Sequence, residues 1–495
     1  MYITYYDVAK AYDKADVDDM LVIAWEHGLK GKLWRLMKNL NTNLTAKIKT
    51  RHGLTREIKR KAGGKQGGKN FGFLFAKMMD VLAEELQNDE NFGMYFNDQK
   101  MSVLEWVDDV ITFAIGKEQQ NLTLDYVDEF ATKHKLKWGK EKCNVMEIGR
   151  NAYKKSNWML GELEISSCET YKYLGDVIMR NGSNKKNIED RENKAMAVSR
   201  KIMSLCSNEV FAEIQLEALL RMHNACTIAC LLTNCETWIL NKSEKCKLER
   251  IELKALKKIL DVPKTTPTPA IWHVTGMLQT SVLIDKRQLL YLKNILNRES
   301  GDWIKKMFNS LQKDNIGWTK QILSTLKEYK LDKPLEQIKE MPNPTWKRIV
   351  TEATEKRNKE KLLEMCMSRN GEKQKTKNLV SKLKNDNYVR RPYIQAQSRH
   401  QCRARIMAMY GMLDCGKNFK TGYRGENCQS CNVLDDENHR INYCKKYRYI
   451  NLFDSALKID FNSIYSGNEK TINMVVEVVC EIWNLHNGNN KMNPP

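Results

Sequence analysis

Met1-Tyr2-Ile3-Thr4-Tyr5-Tyr6-Asp7 and the later stretch Met101-Ser102-Val103-Leu104-Glu105-Trp106-Val107-Asp108-Asp109-Val110-Ile111-Thr112-Phe113-Ala114-Ile115 decide how this chain folds. The first is a run of aromatic and β-branched residues that stops at a carboxylate, which is the make-up of a strand with an acid at its end. The second reads as two strands, Met101–Val107 and Val110–Ile115, joined by a turn at Asp108-Asp109. Set beside one another, these strands bring Asp7, Asp108 and Asp109 to one end of a sheet. Hard carboxylate oxygens from neighbouring strands are what a pair of Mg²⁺ ions, roughly 3.5–4 Å apart, requires.

On either side of these strands the pattern moves between helix and sheet. Asp18–Leu40 spaces Leu21, Ala24, Trp25, Leu33, Leu36 and Met37 at helical intervals, and Thr45–Arg51 with Leu54–Lys61 alternates around His52-Gly53 as a hairpin. Phe71–Leu86, entered through Gly67-Gly68, predicts a buried helix; Leu122–His134 predicts another, and Leu136–Ile148 a return to the sheet. From residue 184 to 262 the spacing is helical, until Pro263, Pro267 and Pro269 interrupt it. Residues 281–396 predict further helices on a Lys-rich background, and Ile472–Trp483 a last helix before an Asn-rich end.

The chain has 495 residues, too many for one core, and 42% hydrophobic residues, enough to bury several. Its 82 Lys and Arg against 61 Asp and Glu leave a net charge of +21, which favours polyanionic partners and nucleic acid above all. No run of 18 or more apolar residues predicts a membrane span, and the first residues lack the basic-then-apolar layout of a secretion signal. The 14 cysteines are therefore expected as thiols or metal ligands in a reducing compartment rather than as disulfides.

The surroundings of the acids narrow the reading. Asp7-Val8-Ala9-Lys10-Ala11-Tyr12-Asp13 resembles the first catalytic motif of the reverse transcriptases of non-LTR (LINE-type) retrotransposons. Gly63-Gly64-Lys65-Gln66-Gly67 with Leu74-Phe75 resembles their template and nucleotide motif, and Trp106-Val107-Asp108-Asp109 their aromatic-x-Asp-Asp box. Lys137-Trp138-Gly139 with Lys142-Cys143 is similar to the motif that follows, and Tyr171-Lys172-Tyr173-Leu174-Gly175 to the primer-grip turn. All occur in the family's order. Asn234-Cys235-Glu236-Thr237-Trp238 and Leu248–Leu260 look like the thumb region of the same elements.

The resemblance implies roles residue by residue. Asp7, Asp108 and Asp109 would bind Mg²⁺ and act as the catalytic acids; Tyr12 would set a bulky ring under the incoming sugar and reject a 2′-hydroxyl. Lys10, Gln66, Gly67 and Lys142 would serve nucleotide and template, Lys142 steadying the departing pyrophosphate. Tyr173, Leu174 and Gly175 would grip the primer. Two departures stand out: Phe71-Gly72 occupies the place of the family's Ser-Pro, and Gly64 that of a branched residue. Fingers with a triphosphate clamp precede the first Asp in the family, and the short lead before Asp7 predicts a fold without them. Loss of such a clamp costs about 10²-fold or more in rate.

Near the C-terminus, Cys428-x2-Cys431-x7-His439-x4-Cys444 supplies three thiolates and an imidazole in two close pairs, the ligand set of a closed, structural Zn²⁺ site. LINE-type elements carry a similar CCHC knuckle there. Arg399, Arg403 and Arg405 before it, Lys445, Lys446 and Arg448 after it, and Tyr410, Tyr423 and Tyr447 for stacking predict a nucleic-acid grip.

The expected fold class is α+β: a right-hand polymerase palm, an antiparallel sheet backed by helices and lacking fingers, over residues 1–182. A helical thumb (183–262), a basic helical connector (263–397), the zinc-knuckle region (398–450) and a C-terminal helix with a loose tail (451–495) follow. The expected activity is RNA-directed DNA polymerisation in target-primed reverse transcription, with two Mg²⁺ ions and one structural Zn²⁺. RNA template, DNA primer or target and dNTP are the partners, with an element-encoded endonuclease supplied elsewhere, in an intracellular ribonucleoprotein of nucleus and cytoplasm. The alternative is a catalytically inactive nucleic-acid-binding remnant.

Overall fold

The computed structural model describes residues 1–42, 44–59, 63–64, 68–96, 99–149, 155–206, 216–367, 399–409, 427–434, 436, 438–445 and 473–480. The chain divides into two compact units, residues 1–187 and 188–495. No described helix is long and apolar enough to cross a membrane.

The first unit is built on a six-stranded sheet. Its strands are β1 (Tyr2–Asp7), β2 (Val103–Trp106), β3 (Asp109–Ala114), β4 (Asn144–Glu147), β5 (Asn157–Leu160) and β6 (Leu163–Ser167), in the spatial order β5-β6-β4-β1-β3-β2. β1 lies at the centre, antiparallel to β3 on one side and to β4 on the other. The sheet is antiparallel except where β4 pairs parallel with β6. One face is buried by three helices, α1 (Val17–Glu26), α2 (Lys69–Asn88) and α3 (Lys117–Lys133). Strand alternation sorts the residues: Tyr6, Val8, Val103, Val110 and Val145 pack with Leu74, Met78, Leu124 and Val127 of the helices. The helical stripe Phe71, Leu74, Phe75, Met78, Met79, Leu82 and Leu86 is fully buried, as its spacing requires. Buried polar pairs lock the same face, Gln120 Nε2 donating to Thr4 Oγ1 at 2.7 Å and Tyr6 Oη meeting Thr112 Oγ1 at 3.1 Å.

The other face carries Tyr5, Ile111, Phe113 and Met146, and part of it is covered by a hairpin of β7 (Thr170–Tyr173) and β8 (Asp176–Met179) through Tyr171, Tyr173 and Ile178. The helical region expected over Asp18–Leu40 is two helices, α1 and Gly31–Asn41, broken at Gly28, whose φ of 92° ends the first. Strand pairing in the expected hairpin is present as Thr45–Ala46 with Ile58–Lys59 and Lys49–Thr50 with Gly53–Leu54. The stretch expected to return to the sheet from Leu136 is strand only at Asn144–Glu147, because residues 137–143 instead wrap across the end of β1.

The second unit is helical. Lys185–Cys206 leads into it, followed by Leu216–Met222, a π-helical turn His223–Ile228, and Lys242–Ile259, which starts with a capping box between Asn241 and Glu244. Pro269 does not break a helix but stands in the first turn of Thr268–Thr275, where a missing N–H is harmless. Thr280–Leu296, Trp303–Lys313, Gly317–Glu328, Leu335–Glu340, Asn343–Met367 and Arg399–Met409 follow. One core joins Leu219, Leu256, Ile259 and Trp272 to Cys366, Cys402, Ile406, Ile441 and Cys444. Of the expected C-terminal helix, residues 473–480 are described and are helical; the tail expected beyond lies outside the described residues.

The β7–β8 hairpin closes through Leu174-Gly175, with φ of 44° and 90°, between the paired Tyr173 and Asp176. A two-residue turn of that kind suits Asn-Gly, and leucine is strained there. Leu174 is exposed, so its replacement forfeits little burial. Leu174→Asn is expected to raise the unfolding free energy by about 1 kcal/mol, read as a higher urea midpoint at unchanged slope.

Candidate active site

Asp7 and Asp109 are direct partners in the antiparallel register of β1 and β3. By strand alternation both project from the face that carries Tyr5 and Ile111, away from the helices. The turn between β2 and β3 is Val107-Asp108, with Trp106 paired to Asp109. Asp109 therefore opens the strand rather than sharing the turn, which corrects the expectation that both acids occupy it. The physical reason is the pairing with Asp7, which draws Asp109 into the ladder. Val107 has a φ of 62°, a left-handed value that a β-branched residue adopts only under constraint.

Residues 137–143 hold the end of β1. Ala9 N–H donates to Lys137 O at 2.7 Å, Gly139 N–H to Asp7 O at 2.8 Å, and Val8 bridges Trp138. A Cβ on Gly139 would come within 3.2 Å of Asp7 Oδ2, so glycine lets this segment lie against the acid. Lys142 Nζ reaches both carboxylate oxygens of Asp7, at 3.0 and 3.2 Å. Hydrogen bonding to Asp7 pushes the Lys142 ammonium pKa up, with the charges of Asp108 and Asp109 adding to the effect. Burial pushes the Asp109 carboxyl up, and the charges of Asp108 and Asp7 push it further, against the opposing pull of Lys142. The three acids thus form a site of surplus negative potential with one ammonium beside it. Such a site accepts divalent cations, which would be held by Asp7, Asp108 and Asp109.

Tyr12 stands beyond the turn that leaves β1. Lys10 makes that turn with a φ of 55° and is exposed, and a helical turn Ala11–Lys14 follows. The Tyr12 ring lies 5.4 Å from that of Phe71 and 5.7 Å from that of Phe75. Burial and then the Asp108 charge raise the Tyr12 phenol, which puts the ring within electrostatic reach of the acids. Gly63 N–H donates to Ala15 O at 3.1 Å and Gly64 N–H to Tyr12 O at 2.9 Å. Gln66 and Gly67, expected at nucleotide and template, lie outside the described residues.

The hairpin bearing Tyr173, Leu174 and Gly175 is fastened to β1 by aromatic contact. Tyr171 stacks on Tyr5 with centroids 3.9 Å apart and planes 12° from parallel, and Tyr173 lies 6.1 Å from Tyr5. The Tyr171 hydroxyl donates to Lys142 O at 2.7 Å. Tyr5, Tyr171, Gly139 and Cys143, whose Sγ accepts from Asp7 N–H at 3.5 Å, therefore belong to the architecture of the site, although their roles escaped the motif reading. The alternation Tyr171-Lys172-Tyr173, which places both rings on one side of a strand, could have found Tyr171.

On the helix side of the β2–β3 hairpin, Glu105 hydrogen-bonds Asp80, which pairs with Lys77 at 2.5 Å. Burial, then the hydrogen bond and charge of Asp80, push the Glu105 carboxyl up to about 8.

In the second unit the ligand atoms of Cys428, Cys431, His439 and Cys444 all lie within 4.8 Å of one another. Cys428 Sγ and Cys444 Sγ are 3.7 Å apart, close to the edge of roughly 3.8 Å that tetrahedral Zn–S bonds of about 2.3 Å would set. Burial opposes ionisation of Cys428, but hydrogen bonds from His439, the Ser430 and Cys431 backbone and Cys444 bring its thiol down to about 7. His439 Nε2 is buried without a hydrogen-bond partner. The turn that joins the first two cysteines closes with Cys431 N–H on Cys428 O at 3.3 Å, and Asn432, φ 54°, follows it with its N–H on the same carbonyl at 2.8 Å. The cluster is compatible with a zinc site. The arginines before it require a correction. Arg405 is 3% exposed and donates to Asn473 Oδ1 at 2.9 Å, while Arg403 pairs with Asp261 at 3.0 Å. Both are engaged within their own unit because the helix Arg399–Met409 turns them inward. Of the other groups expected in the grip, Lys446, Arg448, Tyr410, Tyr423 and Tyr447 lie outside the described residues.

Residues 1–178 match the family model described as reverse transcriptase (RNA-dependent DNA polymerase). This part of the chain is a reverse transcriptase domain, and the enzyme class it indicates is RNA-directed DNA polymerase, a nucleotidyltransferase. No curated protein matches the chain.

Glu105 gives the domain a pH dependence of known sign. Its folded pKa, about 8, lies above its ordinary value of 4.5, so the folded form keeps a proton that the unfolded form has released. The corresponding stability is present below the ordinary value and is lost as pH rises toward 8. Glu105→Gln is expected to flatten this fall and to raise stability at the alkaline end, in urea melts taken across that window.

Proposed function

We propose that this chain is an RNA-directed DNA polymerase of a non-LTR retrotransposon, carrying out target-primed reverse transcription by two-metal nucleotidyl transfer. The observation that carries the reading is the register partnership of Asp7 and Asp109, with Asp108 in the adjoining turn, inside a reverse transcriptase domain. Mg²⁺ held by these acids would supply Lewis-acid activation of the primer 3′-hydroxyl and charge neutralisation at the leaving pyrophosphate.

The chain's own residues do the rest. Asp7 orients toward the metal side of the sheet because Gly139 and Lys137 bind the backbone around it. With Asp7 committed to a cation, the Lys142 ammonium is available to the triphosphate, where it can steady or protonate the leaving group. Tyr12 sits under the sugar and disfavours a 2′-hydroxyl, Lys10 stands at the mouth of the turn, and Gln66-Gly67 seat nucleotide and template. Tyr173, Leu174 and Gly175 hold the primer end, their hairpin fixed by Tyr171 on Tyr5.

In this reading the palm covers residues 1–182, the thumb 183–262, the basic connector 263–397, and the zinc-knuckle region 398–450, ahead of the C-terminal 451–495. The partners are the element RNA, the DNA primer or target and dNTP, within a nuclear and cytoplasmic ribonucleoprotein, and the target nick comes from an endonuclease domain of the element. A net charge of +21 suits such partners.

The test is primer extension on poly(rA)/oligo(dT) with dTTP and Mg²⁺. Wild type is expected to extend, and Asp108→Ala or Asp109→Asn to lose about 10²-fold or more. A wild-type chain that binds RNA with steep salt dependence yet never extends would replace this reading with that of an inactive remnant.

Zinc is expected at Cys428, Cys431, His439 and Cys444 with a structural role. Elemental analysis should find one zinc per chain, lost in Cys428→Ser/Cys444→Ser. Because Cys444 and Ile441 share the helical core, that variant should also melt earlier, by about 2–4 °C per kcal/mol lost.

A further inference from the structure

The chain's two departures from the family pattern meet in space. A Cβ added to Gly64 would lie inside the Phe71 ring, so the ring occupies the volume that a side chain at 64 would fill. Phe71 is fully buried there. The same ring abuts Tyr12, whose hydroxyl end lies over Gly72: a Cβ at Gly72 would come within 3.3 Å of Tyr12 Oη. Phe75, also fully buried, backs the Tyr12 ring at an interplanar angle of 24°. The Tyr12 backbone is clamped too, by Gly64 N–H on Tyr12 O, and a Cβ at Gly63 would strike the Tyr12 and Asp13 carbonyls.

We propose that Phe71, seated on Gly64, is a positioning residue for Tyr12 and sets how strongly the site rejects a ribonucleotide; this rests on the reading of Tyr12 as the ring beneath the incoming sugar. A branched residue at 64 with a small one at 71 would fill a similar volume, and volume-conserving exchanges are well tolerated in a core. The exchange is not neutral in direction, however. It moves the bulk from the loop to the helix face that touches Tyr12, so the ring rests against two helix-borne aromatics. Discrimination by steric exclusion requires a ring that does not yield when a 2′-hydroxyl presses on it. A close-packed aromatic contact supplies that stiffness, and a void beside the ring removes it. Gly72 belongs to the same device, since it leaves the hydroxyl room to lie flat on the helix.

The experiment is single-nucleotide extension by the full chain on poly(rA)/oligo(dT), comparing kcat/KM for dUTP and for UTP. Tyr12→Ala is expected to reduce the dUTP-over-UTP ratio by about tenfold or more, and Phe71→Leu by about three- to tenfold. The combination Tyr12→Ala/Phe71→Leu should lose no more than Tyr12→Ala alone, because both act through one ring. Gly64→Val/Phe71→Ser refills the volume from the loop side and guards against mere unfolding; it should melt close to wild type yet keep the lowered ratio. If Phe71→Leu and the refilled variant slow both nucleotides alike and leave the ratio at its wild-type value while Tyr12→Ala changes it, Phe71 is only a core residue and the proposal falls, although the polymerase reading stands. A wild type that does not extend overturns the polymerase reading, and this proposal with it.

Discussion

Asp7 faces Asp109 because β1 and β3 run antiparallel from Tyr2 opposite Ala114 down to Asp7 opposite Asp109. A slip of one residue would turn every β1 side chain to the other face. Asp7 would then enter the apolar helix layer, and Tyr6 would take the place of Tyr5 beneath the β7–β8 hairpin. The register is pinned from both sides at once. On the helix face Thr4 and Tyr6 find Gln120 and Thr112; on the open face Tyr5 finds Tyr171. Alternative pairings leave buried hydroxyls without partners, which costs about 1–3 kcal/mol each. The position of the acids is thus a consequence of core packing, and the site inherits the rigidity of the sheet.

Clustering acids works against folding, and the structure relieves that repulsion differently on the two faces of the β2–β3 hairpin. On the helix face, Glu105 and Asp80 are close enough that one gives up its charge, with Lys77 beside them. On the open face, Asp7 and Asp109 keep a shared repulsion that, among the described residues, Lys142 offsets. Both pairs are half-buried, and what differs is their surroundings: Glu105 settles its repulsion with Asp80 by holding a proton against the helix, while Asp7, Asp108 and Asp109 lie together and can also settle theirs by taking up a cation. The hairpin therefore has one acid pair suited to hold it against the helix and one suited to bind a divalent metal.

Much of this was legible in the sequence, for a physical reason that differs residue by residue. Asp7 could be read because it ends an aromatic run that nothing but a strand accommodates. Asp109 was placed in the turn because two consecutive acids are equally at home in a turn or at a strand start, and only the partner strand decides between them. Lys142 could be read as a site residue, but not its ion pair with Asp7, since the contact spans residues brought together by the fold alone. The clustering of Cys428, Cys431, His439 and Cys444 was legible because Cys-x2-Cys and His-x4-Cys are local pairs whose spacing already brings the donors close. Arg403 and Arg405 misled for the opposite reason: a basic residue shows its charge in the sequence, but not the Asp261 or Asn473 that occupies it. Gly64 and Phe71 looked like separate oddities until the fold set one on the other.

Backbone strain bears on whether the palm is a working site or a relic. Val107 beside Asp108 and Leu174 in the β7–β8 turn both hold left-handed φ values, 62° and 44°, where glycine or asparagine would be easier. Such conformations cost about 1–3 kcal/mol and persist only where the surroundings over-determine them. Here they do: the ladder Val103–Trp106 with Asp109–Thr112 holds one tip, and Tyr171 on Tyr5 holds the other. Stability alone does not call for a branched side chain at either tip, and a chain relieved of function is free to drift toward the easier residues. That the two apolar residues among the nine described non-glycine residues with left-handed φ stand beside the acids or in the expected primer grip favours a site where side-chain shape at the tips still matters.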